Sequence, residues 1–473
     1  MSSGGNRTVG PVAVVDVLLA LALAVGAAAW FLWIAAGPTA QGVLTGEEAS
    51  VAHRDALALA LHWQPSVWST NAGAQLFYAV TGHVTGVLGD YTLFSPRTAK
   101  ALASALLAPL AYVVARRRLG CGPTAATLGA VLVVLVPGVT SLAWVAIETP
   151  LDAVAGMAAL YLATSRRWWW PLGGVLAGAS VSLYTAGLAW AFAVAVVLLA
   201  RVRRPTDALL AVVGIAAGVG VVALPLAWWR NGGVVVTGGG RDGIELDAVG
   251  TRLAEIGSYA VRSGSSYYYA TGIPVLGGVV PAAVLVAATL VAAIGRFRAV
   301  WPWLLVAAGS VGLYAISSGV PGARRIVALA VVAGLLGGVA VDVLARRRPV
   351  WTTVLAAAVV AAVAAPMAVG LVAWREDLAR GERVMTADWP LLVAPGATAT
   401  STLADLDAAL RDGRLTVAQV GDGWGGTRTL ALLYLLDARH GRPPPFGADQ
   451  LIAYYATTPD CRALDGPACA PPG

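Results

Sequence analysis

Arg166-Arg167-Trp168-Trp169-Trp170 opens an apolar run that passes through Ser182-Leu183-Tyr184-Thr185-Ala186-Gly187 and closes at Arg201-Val202-Arg203-Arg204. As a single helix, residues 171–200 would extend about 45 Å, well beyond the ~30 Å hydrocarbon core of a bilayer. Arginines collect on the cytoplasmic side of membrane proteins, so an apolar run with arginines at both ends begins and finishes on that side. The run is therefore expected to turn back near residues 182–187. It would form two short or partly re-entrant helices, sheltered by neighbouring protein and bordering a cavity.

The same punctuation recurs along the chain, at Arg116, Arg117 and Arg118, at Arg296 and Arg298, and at Arg346, Arg347 and Arg348. With 58% hydrophobic and 12% charged residues and a mean hydropathy of +0.74, the chain has more apolar surface than a soluble core can hide. Lipid must be its solvent. The net charge of +7 follows from arginines at span ends and does not imply a nucleic-acid partner. The first apolar run, 11–36, is too long for a secretory signal core and is read as a retained span.

Placing the arginine clusters on the cytoplasmic side predicts eleven crossings. They are 11–36, 98–115, 123–146, 149–165, two short passes within 171–200, 206–228, 273–295, 299–317, 324–344 and 350–373. The N-terminus is then cytoplasmic, and residues 37–97, 229–272 and 375–473 lie outside. The predicted fold class is an all-α polytopic membrane protein, residues 1–374, followed by a small extracytoplasmic α/β domain, residues 375–473. In that tail Ser401 and Thr402 open a helix to about Leu410, a strand covers 415–420, and a second helix runs over 427–440 to a stop at Gly441. Cys461 and Cys469, with seven residues between them, suit a disulfide in an oxidising exterior, whereas Cys121 adjoins an arginine cluster.

Several stretches, taken in order, resemble the GT-C membrane glycosyltransferases, especially the protein O-mannosyltransferase and aminoarabinose-transferase-like group. They are Gly46-Glu47-Glu48-Ala49-Ser50, His62-Trp63-Gln64-Pro65-Ser66, Asn71-Ala72-Gly73 and Leu76-Phe77-Tyr78, then Arg97-Thr98-Ala99-Lys100-Ala101-Leu102. Further along, Pro171-Leu172-Gly173-Gly174-Val175-Leu176-Ala177-Gly178 and Tyr184-Thr185-Ala186-Gly187 look like that family's glycine-rich fifth span and its outward turn. The resemblance covers residues 10–230 and thins beyond.

The resemblance implies transfer of a sugar, mannose-like or other, from a polyprenyl-phosphate donor to an extracytoplasmic protein, glycolipid or polysaccharide. The family's first external loop carries Asp followed by Glu to activate the acceptor. Glu47 stands where that Asp would be and Glu48 matches the Glu, so the base carboxylate is one methylene longer here. The competing reading of the pair is a solvated loop or a helix start.

Other candidates follow from chemistry. Arg324 and Arg325, at the outer start of a span, have the planar forks that grip phosphate, or they anchor the interface. Lys100 and Arg97 offer further positive charge, with snorkelling as the alternative. Glu148 and Asp152 flank Pro150 and share a face if Pro150 opens a helix; they would serve an acceptor or cavity role, or complement the helix N-terminus. His62 and Tyr184 are expected to border the same space. The histidines of the first external loop match no compact metal-ligand spacing. No cofactor is assigned, and a divalent metal stays open because the family varies in metal dependence. Two other functions compete: a lipid or solute transporter, and a non-catalytic scaffold of GT-C shape.

Overall fold

The structure, a computed structural model, describes residues 14–40, 94–145, 149–232, 246–262, 273–317, 323–346 and 349–379. Glu47, Glu48, His62, Glu148, Cys461, Cys469 and the expected α/β tail lie outside the described residues. The described helices are α1 (Val14–Ala40), α2 (Phe94–Ala105), α3 (Leu107–Arg117), α4 (Pro123–Leu135), α5 (Pro137–Ala143), α6 (Leu151–Ala163) and α7 (Trp170–Leu183). They continue with α8 (Leu188–Ala200), α9 (Pro205–Gly232), α10 (Val249–Val261), α11 (Val279–Ile316), α12 (Val327–Ala345), α13 (Pro349–Val359) and α14 (Ala365–Ala379).

Among the described residues, six helical stretches are long and apolar enough to cross a membrane, and a bent pair, α4 with α5, makes a seventh. Of the eleven expected crossings, several are half-length or broken and so fall below that length. The pass expected over 123–146 bends by 59° between α4 and α5. Pro137 drives its predecessor Val136 into an extended conformation (φ −58°, ψ 121°) and starts a new helix at its first position. The pass expected over 149–165 holds only the 13-residue α6. In the last pass, one π turn at Val360–Ala364 precedes Pro366, whose ring and missing N–H disturb the turn before it.

Both expected reversals are present. Helices α7 and α8 leave and return to the same end, since the Arg201 guanidinium lies 5.6 Å from the Trp170 ring. Between them Tyr184 is extended (φ −159°, ψ 146°) and Thr185–Gly187 makes one 3-10 turn. In α11 the helical backbone breaks at Arg296 (φ −145°, ψ 35°). Leu285 and Gly295 meet Gly337 and Val343 of α12, while the Ser310 hydroxyl bonds the Arg325 carbonyl at 3.2 Å, at the far end of α12. A straight α11 cannot make both sets of contacts. The chain reverses at Arg296, giving limbs 279–295 and 297–316.

The arginine clusters converge on one end of the bundle. Arg116 Nε pairs with Asp16 at 2.9 Å, Arg118 donates to the Ser165 hydroxyl, and Arg201 donates to the Ala163 carbonyl at 2.6 Å. Arg167 pairs with Asp207 at 3.2 Å, and Arg296 bridges the Leu119 carbonyl and Asp342. Asp16 sits at the start of α1, so the chain enters the bundle at this arginine-rich end.

Close packing of small residues holds the layers. Gly174 and Gly178 of α7 face Gly214 and Gly218 of α9 so closely that a Cβ at Gly174 would overlap the Gly214 carbonyl. This is the small-xxx-small pattern by which membrane helices bring backbones together without a hydrophobic driving force. Gly129 and Gly338 do the same between α4 and α12, the most enclosed of the helices. Trp190 and Trp303, both fully buried, meet edge to face at 6.3 Å, with Trp190 seated on Gly156.

Candidate functional site

Opposite the arginine-rich end, five elements touch in a closed ring: α2, α5, the 3-10 turn Ala323–Ile326, the turn Thr185–Gly187, and α6. Their lengths give the ring its depth. Helix α6 runs from the ring to the arginine-rich side in 13 residues and α7 returns in 14, a reach of about 20 Å, some 10 Å short of a full hydrocarbon core. The ring thus lies about 20 Å from the arginine-rich end, with the α7–α8 turn in its wall.

Four of the predicted cations stand on this ring. Lys100, 3% exposed, donates its ammonium to the carbonyls of Leu142, at 3.2 Å, and Thr149. It thus ties α2 to the end of α5 and the start of α6. Around it, Ser104 Oγ, Ser141 Oγ, Thr149 Oγ1 and Trp144 Nε1 are buried without hydrogen-bond partners among the described residues. Arg97, one turn before Lys100, is 1% exposed and stacks 4.9 Å over the Trp144 ring, which itself meets Trp374 at 6.4 Å. Ionisable groups inside a membrane are costly, and where they persist they mark a ligand or ion path.

Across the ring, Arg324 and Arg325 lie in the 3-10 turn that leads into α12. The Arg324 guanidinium stands 4.8 Å from the Tyr184 ring centroid, so the predicted cation and the predicted aromatic belong to one feature. Asp152, 1% exposed, occupies the first turn of α6, and its backbone carbonyl accepts from the Ser180 hydroxyl at 2.7 Å. Pro150 opens α6 as expected. A carboxylate in a first turn complements the helix N-terminus, and this one is held at the ring.

One group at the ring escaped the reading of the sequence. Helix α10 touches the 323–326 turn and presents Glu255, which pairs with Arg252 at 3.1 Å. Glu255 accepts a 3.1 Å hydrogen bond from the fully buried Tyr314 hydroxyl. Tyr314 also meets Tyr259 edge to face at 6.3 Å. The available signal was the Arg–Glu pair three residues apart on an amphipathic stretch. Among the described residues no three His, Cys, Asp or Glu side chains cluster as metal ligands.

Full-length apolar helices packed around half-length ones, with cations gathered at one end, define a polytopic helical membrane protein. No protein family and no curated protein matches the sequence. Among solved structures, the chain is similar to ArnT from Cupriavidus metallidurans, crystallised with undecaprenyl phosphate, with a TM-score of 0.50 and 16% identity. The alignment covers 94% of this chain and 75% of ArnT. At that identity the likeness is one of fold.

Proposed function

We propose that the protein is a membrane glycosyltransferase that moves a sugar from a polyprenyl phosphate to an acceptor outside the cytoplasmic membrane. The observation that carries this reading is the ring of touching elements that gathers Arg97, Lys100, Arg324 and Arg325, which in this reading walls a recess within the hydrocarbon. The ligand that suits it has an anionic head and an apolar body. The ArnT structure, bound to undecaprenyl phosphate, lends the donor class.

In this reading the arginine-rich end is cytoplasmic and the recess opens outward. An acceptor hydroxyl attacks the anomeric carbon from the face opposite phosphate. The carbon–oxygen bond to phosphate breaks, the centre inverts, and the hydroxyl proton passes to Glu47, with Glu48 beside it. A glutamate with its ordinary pKa of about 4.3 is ionised outside and needs no shift to act. General-base assistance of this kind supplies roughly 10²–10⁴-fold. The leaving phosphate is already a stable anion, and the four cations hold it. Glu148, Asp152, His62 and Tyr184 serve the acceptor side, and residues 375–473 form an external domain closed by a Cys461–Cys469 disulfide. The sugar and acceptor are the finer unknowns; a panel answers both.

Membranes carrying the wild-type chain or Glu47→Gln are given a series of polyprenyl-phosphate sugars with native envelope acceptors. Transfer from one donor, lost in the variant, is the expected result. Equal transfer by both proteins removes Glu47 from the mechanism. Absence of transfer from every donor by folded protein sinks the glycosyltransferase reading in favour of transport or scaffolding.

A further inference from the structure

At the arginine-rich end most cations have a carboxylate. Arg116 has Asp16, Arg167 has Asp207 and Arg296 has Asp342. Arg118 and Arg201 do not: among the described residues neither forms an ion pair. Arg118 donates to the Ser165 hydroxyl and stacks 4.5 Å over Tyr161; Arg201 donates to the Ala163 carbonyl and stacks on Trp170. Both converge on the C-terminus of α6, and Arg118 Nε is buried with no acceptor.

Burial first, then the nearby guanidinium groups of Arg118 and Arg203, pull the Arg201 guanidinium below its ordinary pKa. Arg118 and Arg201 have thus been brought together with no carboxylate of their own, and Asp207, which takes the Arg203 backbone N–H at 3.4 Å, is paired with Arg167. The helix C-terminus supplies only partial negative charge. Beside the cluster, Trp168 and Trp169 are exposed, as interfacial aromatics are. Leu172 and Leu199 present apolar side chains one step further along α7 and α8.

We infer that Arg118, Arg201 and Arg203 bind the phosphodiester of an anionic phospholipid in the leaflet at the arginine-rich end. The tryptophans flank the headgroup, and the acyl chains run along Leu172 and Leu199. A lipid rather than free phosphate is the occupant because the cluster adjoins exposed apolar and interfacial side chains, where a headgroup is already at high local concentration. This site lies at the opposite end from the recess and is independent of the transfer reaction.

The test is native mass spectrometry of the full-length protein, titrated with phosphatidylglycerol or with phosphatidylcholine of the same chains. The wild type should retain one phosphatidylglycerol in preference. Arg201→Gln and Arg203→Gln should each weaken that retention about fivefold, the effect of one arginine facing anionic lipid. Arg298→Gln, an exposed arginine in the 297–316 limb of α11 outside the cluster, should leave it unchanged. Arg203 is exposed, so its variant folds even if changes at Arg118 or Arg201 loosen α6. Equal retention of the two lipids overturns the site, as does an equal loss in Arg298→Gln. Displacement of the lipid by millimolar inorganic phosphate makes it a free-anion site. A fall in melting temperature in Arg201→Gln with lipid preference intact reduces the cluster to a helix cap.

Discussion

Arg324 stands over the Tyr184 ring at 4.8 Å, joining two breaks in helical structure that lie 140 positions apart in the chain. Each break frees backbone at the tip of a hairpin, and the cation–π contact sets one tip against the other. Such a contact is worth about 0.5–2 kcal/mol, more when water is excluded. Tyr184→Phe keeps the ring and should lose less thermal stability than Tyr184→Ala, which removes the cation–π contact and the ring volume together. Melting curves in one detergent check this, and equal losses in both variants would place the value of Tyr184 in its hydroxyl.

Arg324 also serves the proposed donor phosphate, and the two roles separate by substitution. Arg324→Lys keeps the charge and loses the planar fork, so lipid-donor transfer should fall about tenfold. Arg324→Gln should fall further, with the larger effect at subsaturating donor. Initial rates across donor concentration decide it; full activity in Arg324→Gln excludes this residue from phosphate binding.

Much of the architecture was legible because charge is sparse in a membrane chain and each arginine cluster marks an end. The hairpin tip at 182–187 and the reversal at Arg296 both came from that punctuation. Pro137 was equally visible, yet averaging hydropathy over 123–146 hid its 59° bend. The site was less legible. That Lys100 belongs with Leu142 and Thr149, or Glu255 with Tyr314, depends on contacts between positions 42 to 59 apart, and such pairings leave no periodic trace. The half-length α6 stands where the sequence predicts a full pass over 149–165; it is enclosed by protein and need not match the bilayer.

The α7–α9 contact predicts a steep response to one methyl group. Gly174→Ala places Cβ against the Gly214 backbone, which cannot swing aside as a side chain would. Overpacking costs about 1–3 kcal/mol where the structure can adjust, and this position lies at the upper end. Gly26→Ala, where nothing lies within 4 Å, is the matched control. Melting temperatures should separate the two; coincidence would mean that α7 and α9 are not packed this closely.

The Arg296–Asp342 pair pins the reversal of α11 to α12 and also receives the Gly122 N–H at 2.7 Å through Asp342. Arg296 is 5% exposed on its side chain. Asp342→Ala would strand a buried cation at a cost of about 3–5 kcal/mol, whereas Arg296→Met with Asp342→Leu should lose much less. A double-mutant cycle on detergent unfolding reads the coupling. Additive losses would show that the pair does not lock the reversal.

Cys121 offers a pH readout at the same junction. Burial pushes its thiol up to about 11, with the nearby Arg296 cation opposing the rise. The folded protein therefore holds the proton more tightly than the unfolded chain, whose thiol titrates near 9.0. Stability from this group is complete below about 9 and declines as pH climbs toward 11. With Cys461→Ser and Cys469→Ser in place, alkylation of the remaining thiol should be slow at pH 8 and become fast on unfolding. Rapid reaction of folded protein at pH 8 would mean an accessible thiolate.

Lys100 separates structure from chemistry at the recess. Its ammonium donates to two backbone carbonyls, so Lys100→Met removes both bonds, at about 1–3 kcal/mol for each carbonyl left unsatisfied. Lys100→Gln can still donate an N–H to one of them and should recover part of that stability, yet it lacks the charge that a leaving phosphate needs. The expected pattern is a melting temperature for Lys100→Gln between those of wild type and Lys100→Met, with transfer lost in both variants. If transfer instead rises with melting temperature across the pair, Lys100 is a tie between α2, α5 and α6, and the cationic contribution to phosphate binding comes from the Arg324 side of the ring.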